Sequence, residues 1–201
     1  MNEVNKLEKR SVYILGLSAF YHDSAASLIK NGEIIASAQE ERFTRKKHDS
    51  SFPINAINFC LEKAEINISN IDYIAFYEKP FLKFDRIMES VLFSAPFGIQ
   101  SFTKAMQVWI KQKLWIPNII SKELDYNGEI LFPEHHESHA ASAFFASPFN
   151  TAAILTMDAV GEWTTTSWGV GKKNQIDIKE EIHFPHSMGM LYSSITYFTG
   201  F

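Results

Sequence analysis

Two apolar segments, "SAASLIK" and "EIIASAQEER", are separated by the dipeptide Asn31-Gly32. Asn-Gly is the preferred pair for the type I′ turn, which joins two antiparallel strands through a two-residue loop. A third apolar and β-branched segment, residues 11–20, precedes this hairpin. We therefore expect the fold to begin with three strands, of which at least two are antiparallel.

The remaining sequence alternates between helical and strand patterns. A helical apolar periodicity starts at Pro53, and residues 71–78 form a short apolar strand. A helical, amphipathic pattern covers residues 81–126, and Pro117 is predicted to end a helix within it. Further strands are expected in "GEILFPE", "TAAILTM", "TTTSWGVG" and "IDIKEEIHF", and further helices in "HAASAFFAS" and "GMLYSSITYFTGF". Hairpins followed by crossover helices predict an α/β fold with a mixed β-sheet flanked by helices.

Composition narrows the classes of function. The formal net charge is −4, and "ERFTRKK" is too short a cationic run for a nucleic-acid groove, so no nucleic-acid partner is expected. The longest apolar region, residues 87–110, contains Glu89 and Lys104, which argues against a membrane span. A single cysteine, Cys60, fits a reducing compartment, and we expect a cytoplasmic protein.

The segment "LFPEHHESHAASAFF" is the strongest candidate for a functional site. On a helix, His135 and His139 lie four residues apart and project from one face, which suits two nitrogen ligands on one metal ion. The His-Glu-x-x-His motif of zinc proteases is absent. Asp158, at the end of an apolar strand, supplies a carboxylate, and two imidazoles with one carboxylate suit Fe(II) and related metals. The alternatives are capping or surface histidines and an aspartate that only forms a turn.

The loop "FYHDSA" after the first strand contains a second set of polar residues. His22 is a candidate general base, because the unperturbed pKa of histidine is near neutrality. Asp23 and Ser24 are candidate cofactor contacts, since small residues and exposed amides in a loop bind phosphate oxygens. The alternative is a histidine that is hydrogen-bonded within the fold.

Two further segments supply candidate cofactor contacts. Lys47 belongs to a cationic run that either binds phosphate or carboxylate or is a solvated charged face. In "DAVGEW", Gly161 is explained by a turn alone. Glu162 either binds a metal or a hydroxyl group or is exposed, and exposure is favoured.

Three long motifs, "GLSAFYHDSAASLIKNGEIIASAQEERFTRKKHD", "HHESHAASAFFASPF" and "MDAVGEWTTTSWGVG", resemble the O-carbamoyltransferases. That family includes the nodulation-factor enzyme and enzymes that carbamoylate antibiotics. The resemblance implies an actin-like, ribonuclease-H-like fold similar to the domain that modifies tRNA with threonylcarbamoyl groups. It also implies that carbamoyl phosphate and ATP give carbamoyl-adenylate, and that the carbamoyl group then passes to a hydroxyl of a small-molecule acceptor.

The resemblance also implies roles for particular residues. His135, His139 and Asp158 match three ligands of an iron ion, His22 matches the histidine of the family's HDSA loop, and Lys47 matches a basic position near the phosphate or carbamoyl group. One departure concerns residue 159, where family members usually have glycine and this chain has alanine, which is costly if φ is positive.

The family is roughly three times as long as this chain. We therefore expect residues 11–201 to be an N-terminal carbamoyltransferase domain that is truncated at its C-terminus. The polar start, residues 1–10, lacks the apolar core of a secretion signal and is expected to be a disordered leader. The missing C-terminal half, in the same or an adjacent gene product, is an expected partner. Two other functions stay open: an ATPase or sugar kinase lobe of the actin-like fold, and a non-catalytic binding module or relic.

Overall fold

The chain divides into two units, each with its own β-sheet. A computed structural model describes residues 10–95, 102–103, 106–107, 109–110 and 112–201, so the expected leader lies outside the described residues except for Arg10. Unit 1 contains the described residues up to Phe76 together with Ile119–Leu131. Unit 2 contains the described residues of Tyr77–Asn118 and of Phe132–Phe201.

Unit 1 is built on a five-stranded mixed sheet. Its strands are β1 (Tyr13–Ser18), β2 (Ala25–Lys30), β3 (Glu33–Gln39), β4 (Tyr73–Phe76) and β5 (Glu129–Leu131). Their order across the sheet is β3-β2-β1-β4-β5. β2 is antiparallel to both β1 and β3, whereas β1, β4 and β5 are parallel. This order and these directions confirm the mixed α/β fold of the ribonuclease-H-like class.

The turn between β2 and β3 confirms the predicted hairpin. Asn31 and Gly32 form a two-residue loop, and both have positive φ, 52° and 90°, as a type I′ turn requires. The Asn31 side chain accepts a hydrogen bond from the backbone N–H of Val12 at 2.9 Å. The turn is therefore also attached to the residue just before β1.

Helices cover the sheet of unit 1. α1 (Glu41–Thr44) is a single turn that the sequence pattern does not indicate, and α2 (Ile54–Lys63) packs against β2 and β3. The buried core of this unit includes hydrophobic side chains from the sheet and α2, among them Leu15, Leu28, Ile57, Cys60, Ile74 and Phe76.

Unit 2 contains a three-stranded antiparallel sheet in the order β6-β7-β8. Its strands are β6 (Thr151–Met157), β7 (Thr164–Lys172) and β8 (Gln175–His183), and its helices include α3 (Pro80–Ser94), α5 (His135–Phe144) and α6 (Met188–Phe198). α5 packs on the sheet through Ala140 and Phe144, which contact Ile154 of β6. This packing places the predicted histidine helix against the strand that precedes Asp158.

The prediction that Pro117 ends a helix is wrong. The helix α4 (Ile116–Leu124) contains Pro117 as its second residue. In the first turn of a helix the missing N–H of proline costs nothing, because no carbonyl within the helix would accept it. Pro117 therefore lies in the first turn of this helix and does not end one.

Within the described residues, no helix combines the length and the apolar content needed to cross a bilayer.

The buried carboxylate of Glu40 holds the start of α2. Glu40 is 1% exposed, and it accepts hydrogen bonds from the side chain of Asn55 at 2.6 Å and from the backbone N–H of Ala56 at 2.9 Å. Pro53, at the N-cap, has no side-chain acceptor for these groups. Glu40 thus satisfies first-turn donors that helices leave free, at the end where a negative charge is favourable.

Replacement of Glu40 by alanine is expected to lower the free energy of unfolding by about 2 kcal/mol or more, because the buried N–H of Ala56 loses a charged acceptor. Urea unfolding followed by circular dichroism measures the change. Glu62→Ala is the control, since Glu62 is an exposed residue of the same helix and should cost less than about 0.5 kcal/mol. Equal effects of the two substitutions would contradict the capping role.

Candidate functional site

The first turn of α5 is fixed by two glutamates of its own segment. Glu134, at the N-cap, and Glu137, three residues later, form a capping box in which each side chain accepts from the other residue's backbone N–H. The N–H of Glu134 donates to Glu137 at 2.9 Å. His135 is therefore the first residue of a well-capped helix, and His139 follows one turn later on the same face.

A third glutamate, Glu162, supports the same helix start from a distant loop. Its carboxylate accepts the backbone N–H of His135 at 3.1 Å and also the backbone N–H of Lys79. The expectation that Glu162 is exposed is wrong, since it is 3% exposed. Burial raises the pKa of this carboxyl group, and the two N–H donors partly oppose that rise. Its cofactor-binding role remains a prediction, and its visible task is to cap the helix.

The structure brings together the three side chains that the sequence proposes as metal ligands. Nε2 of His135 lies 2.8 Å from Oδ2 of Asp158 and 3.1 Å from Nε2 of His139. Nε2 of His139 lies 3.9 Å from the same Oδ2. Ligand atoms from all three residues thus lie within 4.8 Å of one another, close enough to bind one ion. We refer to this cluster as the His-His-Asp triad.

The backbone around Asp158 is held on both sides. Its N–H donates to the carbonyl of Thr165 at 2.8 Å, which extends the pairing of β6 with β7 by one residue. The hydroxyl of Ser187 donates to the Asp158 carbonyl at 3.0 Å, and the N–H of Ala159 donates to the carboxylate at 2.6 Å. The Asp158 side chain is therefore held in place at the end of a strand.

The surroundings of the triad favour the deprotonated forms of Asp158 and His139. The hydrogen bond with His135, the N–H of Ala159 and the positive charge that the histidines can carry hold the pKa of Asp158 well below its usual range, although burial opposes this. Partial removal from water and the neighbouring His135 lower the pKa of His139. Metal ligands must be deprotonated, so both shifts suit a metal centre.

His136, between the two candidate ligands in sequence, belongs to the core. It is buried, and its Nδ1 lies 2.6 Å from the hydroxyl of Thr156 and 3.3 Å from that of Ser167. Burial, with a smaller effect of the two neighbouring histidines, lowers the pKa of His136 to about 4. The ring is therefore neutral at pH 7.

The loop after Asp158 requires glycine at residue 161 rather than at 159. Gly161 has a φ of +58°, and a Cβ there would lie 2.1 Å from the Thr164 carbonyl oxygen. Ala159 is not among the described residues with positive φ, so the alanine costs nothing there. A glycine that the sequence motifs do not indicate, Gly189, lies against Asp158, since its Cβ would be 2.4 Å from the Asp158 carbonyl oxygen. No local sequence signal reveals such a contact.

The remaining candidates lie in unit 1, where Asp23 contacts two histidines. Nδ1 of His22 lies 2.9 Å from one carboxylate oxygen, and Nδ1 of His48 lies 2.9 Å from the other. These histidines lower the pKa of Asp23 by hydrogen bonding, His48 more than His22. His48 also donates its backbone N–H to Glu41 at 3.0 Å. The sequence did not single out His48 as a site residue, because its partner is distant in the chain.

One predicted contact in unit 1, Ser24, lacks the exposed backbone amide that the sequence suggested. Ser24 is fully buried, and its N–H donates to the carbonyl of Asp49 at 2.8 Å, so the expected exposed amide is wrong at this position. The loop closes on the segment around Asp49, which removes that N–H from solvent. Lys47 is exposed. Cofactor binding by Asp23, Ser24 and Lys47 remains a prediction.

We expect Gly161→Ala to destabilise the chain by more than about 2 kcal/mol, because the new Cβ meets a backbone oxygen in a backbone region that is already unfavourable for alanine. Gly32→Ala is the control, since Gly32 also has positive φ but has open space around its Cβ, and it should cost about 1 kcal/mol. Urea unfolding measures both. Equal costs would show that the contact with Thr164 relaxes freely.

Comparison with known proteins agrees with the motifs. Residues 13–201 match the protein family described as Carbamoyltransferase N-terminus. The uncharacterized protein sll1178 of Synechocystis sp. is 55% identical over 197 residues, which cover 94% of this chain and 32% of that protein. The nodulation protein NolNO of Sinorhizobium fredii is 33% identical over 189 residues, which cover 92% of this chain and 26% of that protein.

The chain thus spans about a third or less of the length of these relatives. Among solved structures it is similar to a Pseudomonas aeruginosa protein described as uncharacterized and similar to the peptidase YeaZ. That similarity has 15% identity and a TM-score of 0.39, and it covers 88% of this chain and 67% of the other. The match over residues 13–201 confirms the resemblance seen in the motifs, and the chain belongs to the carbamoyltransferase family, to whose N-terminal domain it corresponds.

Proposed function

We propose that the chain is the N-terminal part of an enzyme that transfers a carbamoyl group to a hydroxyl of a small-molecule acceptor, such as a sugar. In the complete protein, carbamoyl phosphate and ATP would give carbamoyl-adenylate with release of phosphate and pyrophosphate. Transfer of the carbamoyl group to the acceptor hydroxyl would then release AMP, while a base takes the hydroxyl proton. One observation carries the proposal: the His-His-Asp triad converges in a chain that belongs to the carbamoyltransferase family. Family membership favours this reaction over an ATPase or sugar kinase.

The triad fits Fe(II) or another divalent metal by its donor set. Two imidazole nitrogens and one carboxylate oxygen suit such ions, and the lowered pKa values of Asp158 and His139 leave donor atoms free of protons. His135, His139 and Asp158 would hold the ion. When bound, the metal supplies a Lewis acid where negative charge develops.

His22 is the proposed general base. A carboxylate can only accept hydrogen bonds, so in a neutral His22 ring Nδ1 donates to Asp23 and the lone pair lies on Nε2. Nε2 has no hydrogen-bond partner among the described residues, and the side chain is 61% exposed. The Nε2 lone pair can therefore take the proton of an acceptor hydroxyl, and Asp23 orients the ring.

Lys47 and the loop of Gly161 and Glu162 are proposed to contact the nucleotide or the carbamoyl donor. The proposal for Lys47 depends on its charge and exposure, and that for residues 161 and 162 on their position beside Asp158. Because the chain spans about a third or less of its relatives, use of ATP and carbamoyl phosphate is proposed for the complete protein.

The metal centre predicts that the chain binds Fe²⁺ under anaerobic conditions at one ion per chain. His139→Ala and Asp158→Asn should each lower the affinity at least about tenfold, because each removes a direct ligand. Metal analysis after gel filtration and chelator competition measure binding. His183→Ala is the control, since His183 is exposed and paired with Glu181. Equal binding by all variants, or none by the unaltered chain, would refute the centre.

The proposed base predicts that His22→Ala lowers kcat about 10²- to 10⁴-fold without changing the metal content. The assay measures transfer of the label from ¹⁴C-labelled carbamoyl phosphate to each of a panel of sugars in the presence of ATP and Fe²⁺. It uses the chain alone and the chain together with the C-terminal part encoded by the same or an adjacent gene. His183→Ala again serves as the control. Phosphorylation of the sugar in place of carbamoylation would indicate a kinase. The absence of both reactions would indicate a binding module.

A further inference from the structure

One buried ring nitrogen of the triad has no hydrogen-bond partner among the described residues. Nδ1 of His135 is buried and makes no hydrogen bond among the described residues. The other ring nitrogen, Nε2, faces Asp158 at 2.8 Å. Buried polar groups are normally satisfied, so an orphan nitrogen beside a candidate metal centre requires an explanation.

The carboxylate of Glu78 lies near this nitrogen. Its Oε2 lies 4.0 Å from Nδ1 of His135. Glu78 is 3% exposed, and the ammonium group of Lys83 donates to the same oxygen at 2.7 Å. Lys83 therefore compensates a buried negative charge that would otherwise be costly.

The segment containing Glu78 is tied to α5 on both sides of this residue. The Tyr77 carbonyl accepts from the Ser138 hydroxyl at 2.9 Å, and the Tyr77 ring contacts the His135 ring edge-on at a centroid distance of 5.7 Å. On the other side, the N–H groups of Lys79 and His135 donate to the two oxygens of the same Glu162 carboxylate. Glu78 is thus held beside the His135 ring by backbone contacts that do not involve its own side chain.

The 4.0 Å distance follows from the position of the ring proton. The Asp158 carboxylate can only accept, so in a neutral His135 ring Nε2 carries the proton and Nδ1 carries a lone pair. A lone pair and a carboxylate cannot hydrogen-bond to each other. When Nε2 binds a metal, the proton of the neutral ring must instead be on Nδ1, and Nδ1 then needs an acceptor. The ring carries one N–H in both cases, so only the position of the proton changes.

We propose that Glu78 is a positioning residue that accepts the Nδ1–H of His135 and thereby directs Nε2 toward the metal. Metal-binding histidines commonly donate their second N–H to a carboxylate, which fixes the tautomer and the ring orientation. The inference rests on the proposed metal centre. Formation of this hydrogen bond requires the two groups to approach by roughly 1 Å from their separation in this structure.

The test compares Zn²⁺ affinity in the unaltered chain, Glu78→Ala, Glu78→Gln and Glu180→Gln by chelator competition. Glu78→Ala should bind about 10- to 100-fold more weakly. Glu78→Gln, which keeps the volume and a weaker acceptor, should lie between the unaltered chain and alanine. Glu180 is exposed and accepts from Trp168, so Glu180→Gln should stay within about twofold of the unaltered chain.

A second readout separates positioning from a structural role. In ¹⁵N-labelled chain loaded with diamagnetic Zn²⁺, NMR should show His135 protonated at Nδ1 with slowed proton exchange. Exchange of the His135 Nδ1 proton should be faster in Glu78→Gln. This variant also keeps the test informative if Glu78→Ala does not fold. A purely structural role would lower the metal-free Tm and leave this signature and the Zn²⁺ affinity unchanged.

Each outcome decides the inference. Wild-type Zn²⁺ affinity in folded Glu78→Ala, or His135 bound through Nδ1, would overturn it and leave the metal centre intact. If Glu78→Ala does not fold, wild-type affinity and unchanged exchange in Glu78→Gln would overturn it in the same way. Absence of both Zn²⁺ and Fe²⁺ binding in the unaltered chain would overturn it together with the metal centre.

Discussion

The capped first turn of α5 is the constraint on which the candidate site depends. Glu134 and Glu137 satisfy each other's backbone donors, and the buried Glu162 accepts the N–H of His135 from another loop. Carboxylates at a helix N-terminus are favoured both by the free N–H groups and by the helix dipole. Because the cap fixes where the helix begins, it also fixes where His135 and His139 point. A strand end then needs to bring only one carboxylate to them.

Local sequence pattern predicted much of the fold. The Asn31-Gly32 turn determined the β2–β3 hairpin, and the strand order of unit 1 follows from two antiparallel pairings, β1–β2 and β2–β3, and two parallel crossovers. The His135–His139 spacing was also local, since one turn of helix brings these residues together. Pro117 was misread because proline has the same sequence signature whether it ends one helix or begins the next.

Contacts between distant segments could not be predicted in this way. Glu162 looked like an exposed loop residue, yet the loop folds beneath α5 and buries it. Asp23 bridges His22 and His48, although 25 residues separate Asp23 from His48. The loop amide of Ser24 was expected to face a phosphate and instead bonds to Asp49. In each case the deciding partner comes from a segment whose position depends on tertiary packing rather than on local propensity.

The burial of His136 affects which parts of the triad can alter its preference for one ion over another. Its ring is anchored to hydroxyl groups of Thr156 on β6 and Ser167 on β7, which also contact each other at 2.6 Å. These bonds oppose rotation of α5 about its long axis and so help to fix the directions in which His135 and His139 project. A change in which ion the triad prefers would then depend on the end of β6, that is, on the position of the Asp158 carboxylate and on the loop that follows it.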